Sequence, residues 1–444
     1  MRIPTAGDGR KTGRGIVIPN LSYSNFERAL AVGRPPNIQA LFPNSRALLV
    51  SGRVIDRAML AKGQAMAIAA NARNQMVLRG VLRAAQRANA ALLVEIARSE
   101  GGTNGYCPVN FWNVASLVDQ ACNELGITIP VAIHADHYGL KKPAEVDLAR
   151  VEIQTLFEAG LTSIAIDASH MPDDENLLAN LALAPCVPSW AGFETEVGEI
   201  NGKDGLSTRA EALFLIQGLN AHGVFPDWIA LNNGTTHGIE ESSAGIQVEL
   251  TAEIHAALGH YGVSGAQHGT SGNSSERLRR IVNETLTTKA NVATALQMIS
   301  WGVKVNDYGN AILDENGELQ KLPDHGVSEG LWAEMVAYTR ECGWKMGDYK
   351  WLSLPFGCRI LAQPREIRER MIQGVEDFAF RLITEVFGSK DTAPLAIEAI
   401  LQADSYELAP RAEGMEDPAE WDETHIRARA HVLQRERAAG TAED

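Results

Sequence analysis

The chain has 444 residues, of which 45% are hydrophobic and 21% charged, a composition typical of a soluble globular protein. Its formal charge of -15 argues against nucleic acid or an anionic membrane as a partner, because both attract basic surfaces. The first residues lack the apolar core of a signal peptide, and the five scattered cysteines form no CxxC pair. We therefore expect a cytoplasmic protein with reduced thiols and with neither nucleic-acid nor membrane partners.

Short apolar runs with strand character alternate along the chain with amphipathic helical stretches. In the helical stretches, such as Gln75–Asn89, apolar residues recur at three- and four-residue spacing. The predicted strands cover residues 65–70, 91–97, 129–135, 162–168, 191–197, 227–232, 263–268 and 301–306. Eight such units predict an α/β fold of the (β/α)8 TIM-barrel type, with a doubly wound sheet as the alternative.

The remaining segments are predicted to extend this barrel at both ends. Residues 1–50 form an N-terminal extension, and residues 51–390 form the barrel, including an insertion around 311–350. Residues Glu366–Val386 have a helical pattern that suits a closing helix. Residues 391–444 form a charged C-terminal helical extension, and the sequence leaves open whether it is a mobile helix or a subunit contact.

Three histidines stand where predicted strands end: His137 in PVAIHADH, His237 in NNGTTHG and His268 in GAQHGTSG. The ends of barrel strands hold side chains rigidly, while the loops leave the site open. Three neutral imidazoles with a fourth position free are what a catalytic zinc ion requires.

Carboxylates accompany these histidines. Asp136 precedes His137 and can act as a general acid/base or as an orienting group, whereas a buried histidine pair with a capping aspartate is the structural alternative. Asp167 ends the fourth strand, and Glu194 and Glu196 share one face of the fifth. Inward carboxylates are costly unless they are paired or metal-bound, but a surface strand face would also explain them.

Glycine-rich loops follow the sixth and seventh predicted strands. Glycines flank His237 in GTTHG and permit close backbone approach to a ligand. The backbone N–H groups of HGTSG, with Ser271, would form an anion cradle, although a plain helix-capping loop has the same composition. The second strand ends in Ser99 and two nearby glycines, and the eighth ends in Asn306.

These motifs resemble those of the class II, zinc-dependent fructose-bisphosphate aldolases, in the family's order, from roughly Gln64 to Asn306. The matching pieces are HADHYGLKK, IDASHM, FETEVGEINGKDG, GTTHG, HGTSG and GVKVN. The resemblance implies zinc ligation by His137, His237 and His268, and Asp136 as the catalytic aspartate. It further implies a second metal position at Asp167 and Glu196, with substrate contacts from Ser99, Gly238, Gly269, Ser271 and Asn306.

The implied reaction is reversible cleavage of a ketose phosphate, fructose 1,6-bisphosphate or a related sugar, into dihydroxyacetone phosphate and an aldehyde. Zinc would stabilise the enediolate as a Lewis acid, and Asp136 would take the C4 hydroxyl proton. In the loop Gly198–Leu206, Asp204 is expected to protonate the enediolate in preference to Glu199.

Some positions depart from the family pattern and predict a divergent member. Asn306 is followed by Asp-Tyr-Gly-Asn instead of the usual N-x-D-T-D continuation. The arginine for the distal phosphate has three candidates, Arg359, Arg365 and Arg368. A monovalent cation and a homodimer or higher homo-oligomer are further expectations. The alternative functions are a non-catalytic aldolase-like partner subunit and a zinc hydrolase on a TIM barrel.

Overall fold

The computed structural model describes residues 21–198, 205–234 and 245–440, apart from positions 308 and 316. Eight parallel strands pair in chain order, and the last pairs with the first, so that the sheet closes. The strands are β1 Ala67–Asn71, β2 Leu92–Ala97, β3 Val131–Gly139, β4 Ser163–Asp167, β5 Gly192–Val197, β6 Trp228–Leu231, β7 Ser264–Gln267 and β8 Thr287–Val292. The predicted TIM barrel is confirmed, and the closed sheet excludes the doubly wound alternative.

Helices surround this barrel and extend it at both ends. Those of the described residues are α1 Leu21–Val32, α2 Pro36–Leu41, α3 Gly52–Lys62, α4 Gln75–Ala88, α5 Arg98–Gly101, α6 Val114–Leu125, α7 Val146–Glu158, α8 Asp173–Leu183, α9 Arg209–Ala221, α10 Val248–Ala257, α11 Ser275–Glu284, α12 Thr294–Trp301, α13 Glu329–Glu341, α14 Gly357–Leu361, α15 Arg365–Arg381, α16 Ala393–Ala403 and α17 Glu423–Gly440. Within these ranges, none is both long and apolar enough to cross a bilayer.

The position predicted for the eighth strand is wrong. The eighth strand is Thr287–Val292, whereas Trp301 ends α12 and Val303 and Val305 form isolated antiparallel bridges. The sequence TTKANV has little apolar character, but it forms a buried strand because its inward polar residues have partners inside the barrel. Lys289 pairs with Glu95, and Asn291 donates to Asp136. Apolar and polar residues alternate more clearly in the run WGVKVN, but this run begins at the last residue of α12 and continues into the segment that leads to α13.

The terminal extensions complete the barrel. In the N-terminal extension, Leu49 forms an isolated parallel bridge with Val131 at the start of β3, and α3 then lies against the strands. Helix α15, at the place predicted for the closing helix, packs against α4. In the C-terminal extension, α16 packs against α3, and α17 contacts α8 and α9. The described part of the tail is therefore packed onto the barrel.

A buried ion pair joins the N-terminal end of the barrel to the tail. Arg53 on α3 donates from Nε to Asp227 Oδ1 at 2.9 Å, and both side chains are almost fully buried. Its Nη1 donates to the carbonyl oxygen of Leu408 at 2.8 Å. Arg53 thus connects the start of the barrel, the loop before β6 and the tail.

We predict that Arg53→Met destabilises the protein by about 3–5 kcal/mol, because it leaves the carboxylate of Asp227 buried without its cation. Urea unfolding followed by circular dichroism measures this loss. Arg280→Met is the matched control, because Arg280 pairs with Glu249 and Glu284 at the surface and should hardly change the midpoint. Equal shifts of the urea midpoint in the two variants would contradict the prediction that the buried ion pair matters more to stability than the surface ion pair.

Candidate active site

A bulge in β3 brings two consecutive side chains to one side of the strand. The register against β4 shifts between Ala135 and Tyr138, and His137 has a φ of 39°. Successive residues of a regular strand point to opposite faces, but a bulge redirects a side chain. Asp136 and His137 can therefore both face the barrel mouth, and the strand continues beyond its predicted end at 135 to Gly139.

The predicted metal ligands that the structure describes lie together at this mouth. His137 Nδ1 is 3.2 Å from both Asp167 Oδ2 and Glu196 Oε2. The ring centroids of His137 and His268 are 4.2 Å apart. Ligand atoms of Asp136, His137 and His268 all lie within 4.8 Å of one another, as do those of His137, Asp167 and Glu196. Three predicted site residues, His237, Gly238 and Asp204, lie outside the described residues.

The environment of His268 fits a metal ligand. Its Nε2 is 2.9 Å from Glu194 Oε1, which assigns the ring proton to Nε2 and leaves Nδ1 with a free lone pair. Nδ1 is buried and has no hydrogen-bond partner in the described part of the chain; Glu196 Oε2 lies 3.7 Å away. A carboxylate that orients an imidazole in this way is a common arrangement around zinc. The residues present therefore fit a divalent cation such as zinc.

Electrostatic interactions keep Asp136 ionised. Burial alone would raise the pKa of this carboxyl, but the positive charges of His137 and Lys289 outweigh burial and lower it to about 2. Burial opposes protonation of His137, but the carboxylates of Asp136 and Glu196 raise its pKa well above the ordinary value. The same carboxylates would favour a metal cation in place of that proton.

Two asparagine amides hold Asp136. Asn291 Nδ2 donates to Oδ1 at 2.8 Å, and Asn71 Nδ2 donates to Oδ2 at 3.2 Å. Asn291 lies on β8, in the position that the sequence analysis gave to Asn306. Asn306 is instead in the segment after α12, so its placement at the end of the eighth strand is wrong. The spacing Lys289-Ala-Asn291 was the available signal, since it repeats the Lys-x-Asn order of GVKVN.

A cavity of 810 Å³ opens above these groups. Ser99, Gly269 and Ser271 line it, as expected of substrate-binding residues. Its described cationic residues are Arg73, Lys345 and Lys350. The three arginines considered for the distal phosphate are not among its lining residues, and Arg359 forms an ion pair with Glu334.

The chain matches the family model described as fructose-bisphosphate aldolase class-II over residues 54–342. It belongs to the class II fructose-bisphosphate aldolase family. It is 27% identical to a fructose-bisphosphate aldolase of Streptococcus pyogenes serotype M3 over 231 residues, 51% of this chain and 73% of the relative. A fructose-bisphosphate aldolase of Streptococcus pneumoniae serotype 4 is 28% identical over the same shares.

A solved structure shows the same fold. The YdjI aldolase of Escherichia coli K12 superposes with a TM-score of 0.53 at 18% identity, over 78% of this chain and 99% of that one. At this identity the similarity concerns the fold alone. Class II aldolases in general depend on zinc, which agrees with the donor set at the mouth of this barrel.

Below the candidate site, a buried lysine organises the barrel interior. Lys289 Nζ lies 2.9 Å from Glu194 Oε2 and 3.3 Å from Glu95 Oε2, and all three side chains are essentially inaccessible. Burial opposes the charge of Lys289, but the two glutamates overcome it and raise its pKa. This lysine is not among the predicted site residues, because the eighth strand was expected at 301–306 and lies at Thr287–Val292.

We predict that Glu194→Gln weakens zinc binding by about 10- to 100-fold, because it removes the carboxylate that orients His268. Competition with a chromophoric chelator measures the affinity. Glu95→Gln is the matched control, because Glu95 approaches Lys289 in the same buried cluster, whereas Glu194 is the carboxylate that orients His268. If both variants bind zinc as tightly as the parent, Glu194 does not support the metal site.

Proposed function

We propose that this protein is a metal-dependent aldolase that reversibly cleaves a phosphorylated ketose into dihydroxyacetone phosphate and an aldehyde. Fructose 1,6-bisphosphate or a related ketose phosphate is the substrate. The observation that carries the proposal is the carboxylate of Asp136, held by two amides beside His137 and His268 at the floor of the cavity.

Cleavage of a carbon–carbon bond next to a hydroxyl requires a base for the hydroxyl proton and stabilisation for the resulting carbanion. Asp136 is the base, because its two amide partners fix the orientation of its carboxylate beside the metal donors. A zinc ion held by His137, His237 and His268 supplies Lewis-acid polarisation of the ketose carbonyl when it is bound. Asn71 and Asn291 both line the cavity, and their Oδ1 atoms are buried without hydrogen-bond partners in the described residues.

The phosphate of the substrate is proposed to bind where the loop after β7 lines the cavity. Gly269 and Ser271 lie in that loop, and Gly269 has a φ of 59°, a conformation that suits glycine. Ser99 and Gly238 complete the proposed substrate contacts, and Asn291 takes the role given to Asn306. Lys345 and Lys350 add positive charge to the cavity wall.

Asp167 and Glu196 are proposed to form the second metal position together with His137, which both carboxylates approach. The assembled base and metal donors disfavour a non-catalytic partner subunit, and membership of the aldolase family disfavours a zinc hydrolase. A homo-oligomeric assembly, a monovalent cation and a cytoplasmic location remain predictions.

We predict that Asp136→Asn retains zinc but loses about 10²–10⁴-fold in turnover of a cleaved ketose phosphate, because the amide cannot accept the hydroxyl proton. Retro-aldol cleavage of a panel of ketose phosphates, with and without a chelator, is measured together with metal content. Asp377→Asn makes the same chemical change on an exposed side chain and should behave as the parent. No cleavage of any panel member by the zinc-loaded parent would refute the proposed function.

We further predict that Asp204, which lies outside the described residues, donates the proton that converts the enediolate into dihydroxyacetone phosphate. The flanks of its loop are fixed beside β5: Ser207 Oγ donates to Val197 O at 2.7 Å, and Asn232 Nδ2 donates to Gly205 O at 2.8 Å. The loop therefore leaves and rejoins the barrel next to Glu196.

Exchange of solvent hydrogen into dihydroxyacetone phosphate tests this role. Asp204→Asn should slow exchange more than it weakens the binding of zinc or dihydroxyacetone phosphate. Glu199→Gln, in the same loop, is the comparison and should exchange faster than Asp204→Asn. Exchange at the parent rate in both variants would show that the proton comes from elsewhere.

A further inference from the structure

Gln297 on α12 joins two walls of the cavity through its buried side-chain amide. Its Oε1 accepts a hydrogen bond from Arg73 Nη1 at 2.7 Å. Its Nε2 donates to the carbonyl oxygen of Lys350 at 2.9 Å and to Ser353 Oγ at 2.7 Å. The amide is fully buried, and these three bonds fix which end is oxygen and which is nitrogen.

Arg73, on one side of Gln297, leads to the catalytic carboxylate. Its Nε donates to Glu100 Oε1 at 2.6 Å. Glu100 Oε2 accepts from Asn71 Nδ2 at 2.9 Å, and the same Nδ2 reaches Asp136 Oδ2 at 3.2 Å. Every side chain along this path is buried, so water competes little for the bonds.

The segment on the other side of Gln297 borders the cavity opening. Residues Met346–Ser353 form a 3-10 helix within the chain that separates α12 from α15. Gly347, Asp348 and Lys350 of this helix line the same cavity as Asp136. The helix thus forms a cavity wall that the Gln297 amide joins to Arg73.

We infer that Gln297 is a positioning residue that couples the placement of the 3-10 helix to the orientation of Asp136. The inference rests on the proposed function. Displacement of the helix would leave the Gln297 Nε2 group without acceptors unless the amide moved with it, and such a movement would break the bond to Arg73. The arginine would then shift Glu100 and Asn71, and through them one of the two amides that hold the catalytic base.

Two substitutions at Gln297 separate the two ends of this link. Gln297→Glu keeps an acceptor for Arg73 but removes the donors to Lys350 and Ser353, whereas Gln297→Met removes both ends at similar volume. Gln363→Met is the matched control, because Gln363 Oε1 accepts from the backbone N–H of Ser328 and anchors the same chain segment away from Arg73. Metal content is measured for each variant, so that loss of zinc is not mistaken for loss of positioning.

We expect Gln297→Met and Gln297→Glu to lower kcat by about 10- to 100-fold with a smaller change in KM, since misplacement of a reacting group by about 1 Å can cost about 10²-fold. Amide hydrogen exchange of residues 345–354 should accelerate in both variants. Gln363→Met should leave kcat within about twofold of the parent. Accelerated exchange in Gln297→Glu with an unchanged kcat would overturn the inference.

Failure of the proposed function is distinguishable from failure of this inference. If the parent cleaves no ketose phosphate, the proposed function is wrong. Amide hydrogen exchange then tests by itself whether Gln297 couples the 3-10 helix to Arg73. Gln297→Met should then accelerate exchange both in residues 345–354 and around Arg73, and Ser353→Ala should do the same to a smaller extent. Acceleration confined to residues 345–354 would show that the two walls are independent.

Discussion

Lys289 is an ammonium group enclosed by the barrel, and the inward-facing carboxylates depend on it. Glu95 and Glu194 sit against it, and its charge also lowers the pKa of Asp136. Removing one partner from such a buried pair leaves a charge that the interior cannot solvate. The barrel therefore carries its own cation at depth, whereas the described contacts of Asp167 and Glu196 nearer the mouth are with His137 and include no lysine, which favours a metal ion there.

Glu194 connects the buried ion pair of Lys289 with the candidate metal site above it. One of its oxygens faces Lys289, and the other accepts a hydrogen bond from the ring N–H of His268. Because one carboxylate serves both groups, the ion pair below and the imidazole above cannot be arranged independently. Strand β5 keeps the two carboxylates in a fixed relative position, because Glu194 and Glu196 are two residues apart and lie on the same face.

The chain beyond the barrel contributes to the site rather than merely enclosing it. The 3-10 helix before α14 forms a cavity wall, and its contact with Gln297 ties it to groups on β1 and α5. At the opposite end, the tail accepts a hydrogen bond from Arg53. Segments far apart in sequence thus hold the two ends of one barrel.

Much of the site could be predicted because its signals are local. Strand-ending motifs such as HADH and HGTSG combine an apolar run with histidine and small residues, and a parallel barrel brings the carboxyl ends of its strands to one face. From this, Asp136, His137, Asp167, Glu196 and His268 were expected to converge, and the structure brings them together.

The sequence alone determined the alternation of strands and helices, the barrel class, and the face on which the histidines and carboxylates would lie. Only the tertiary structure decided that β8 is the polar run Thr287–Val292, because charges on other strands compensate Lys289. It also decided that His137 faces the cavity beside Asp136, because a bulge breaks the alternation that sequence patterns assume. Both outcomes depend on contacts between strands that are separated in sequence, and a local pattern of residues does not contain such contacts.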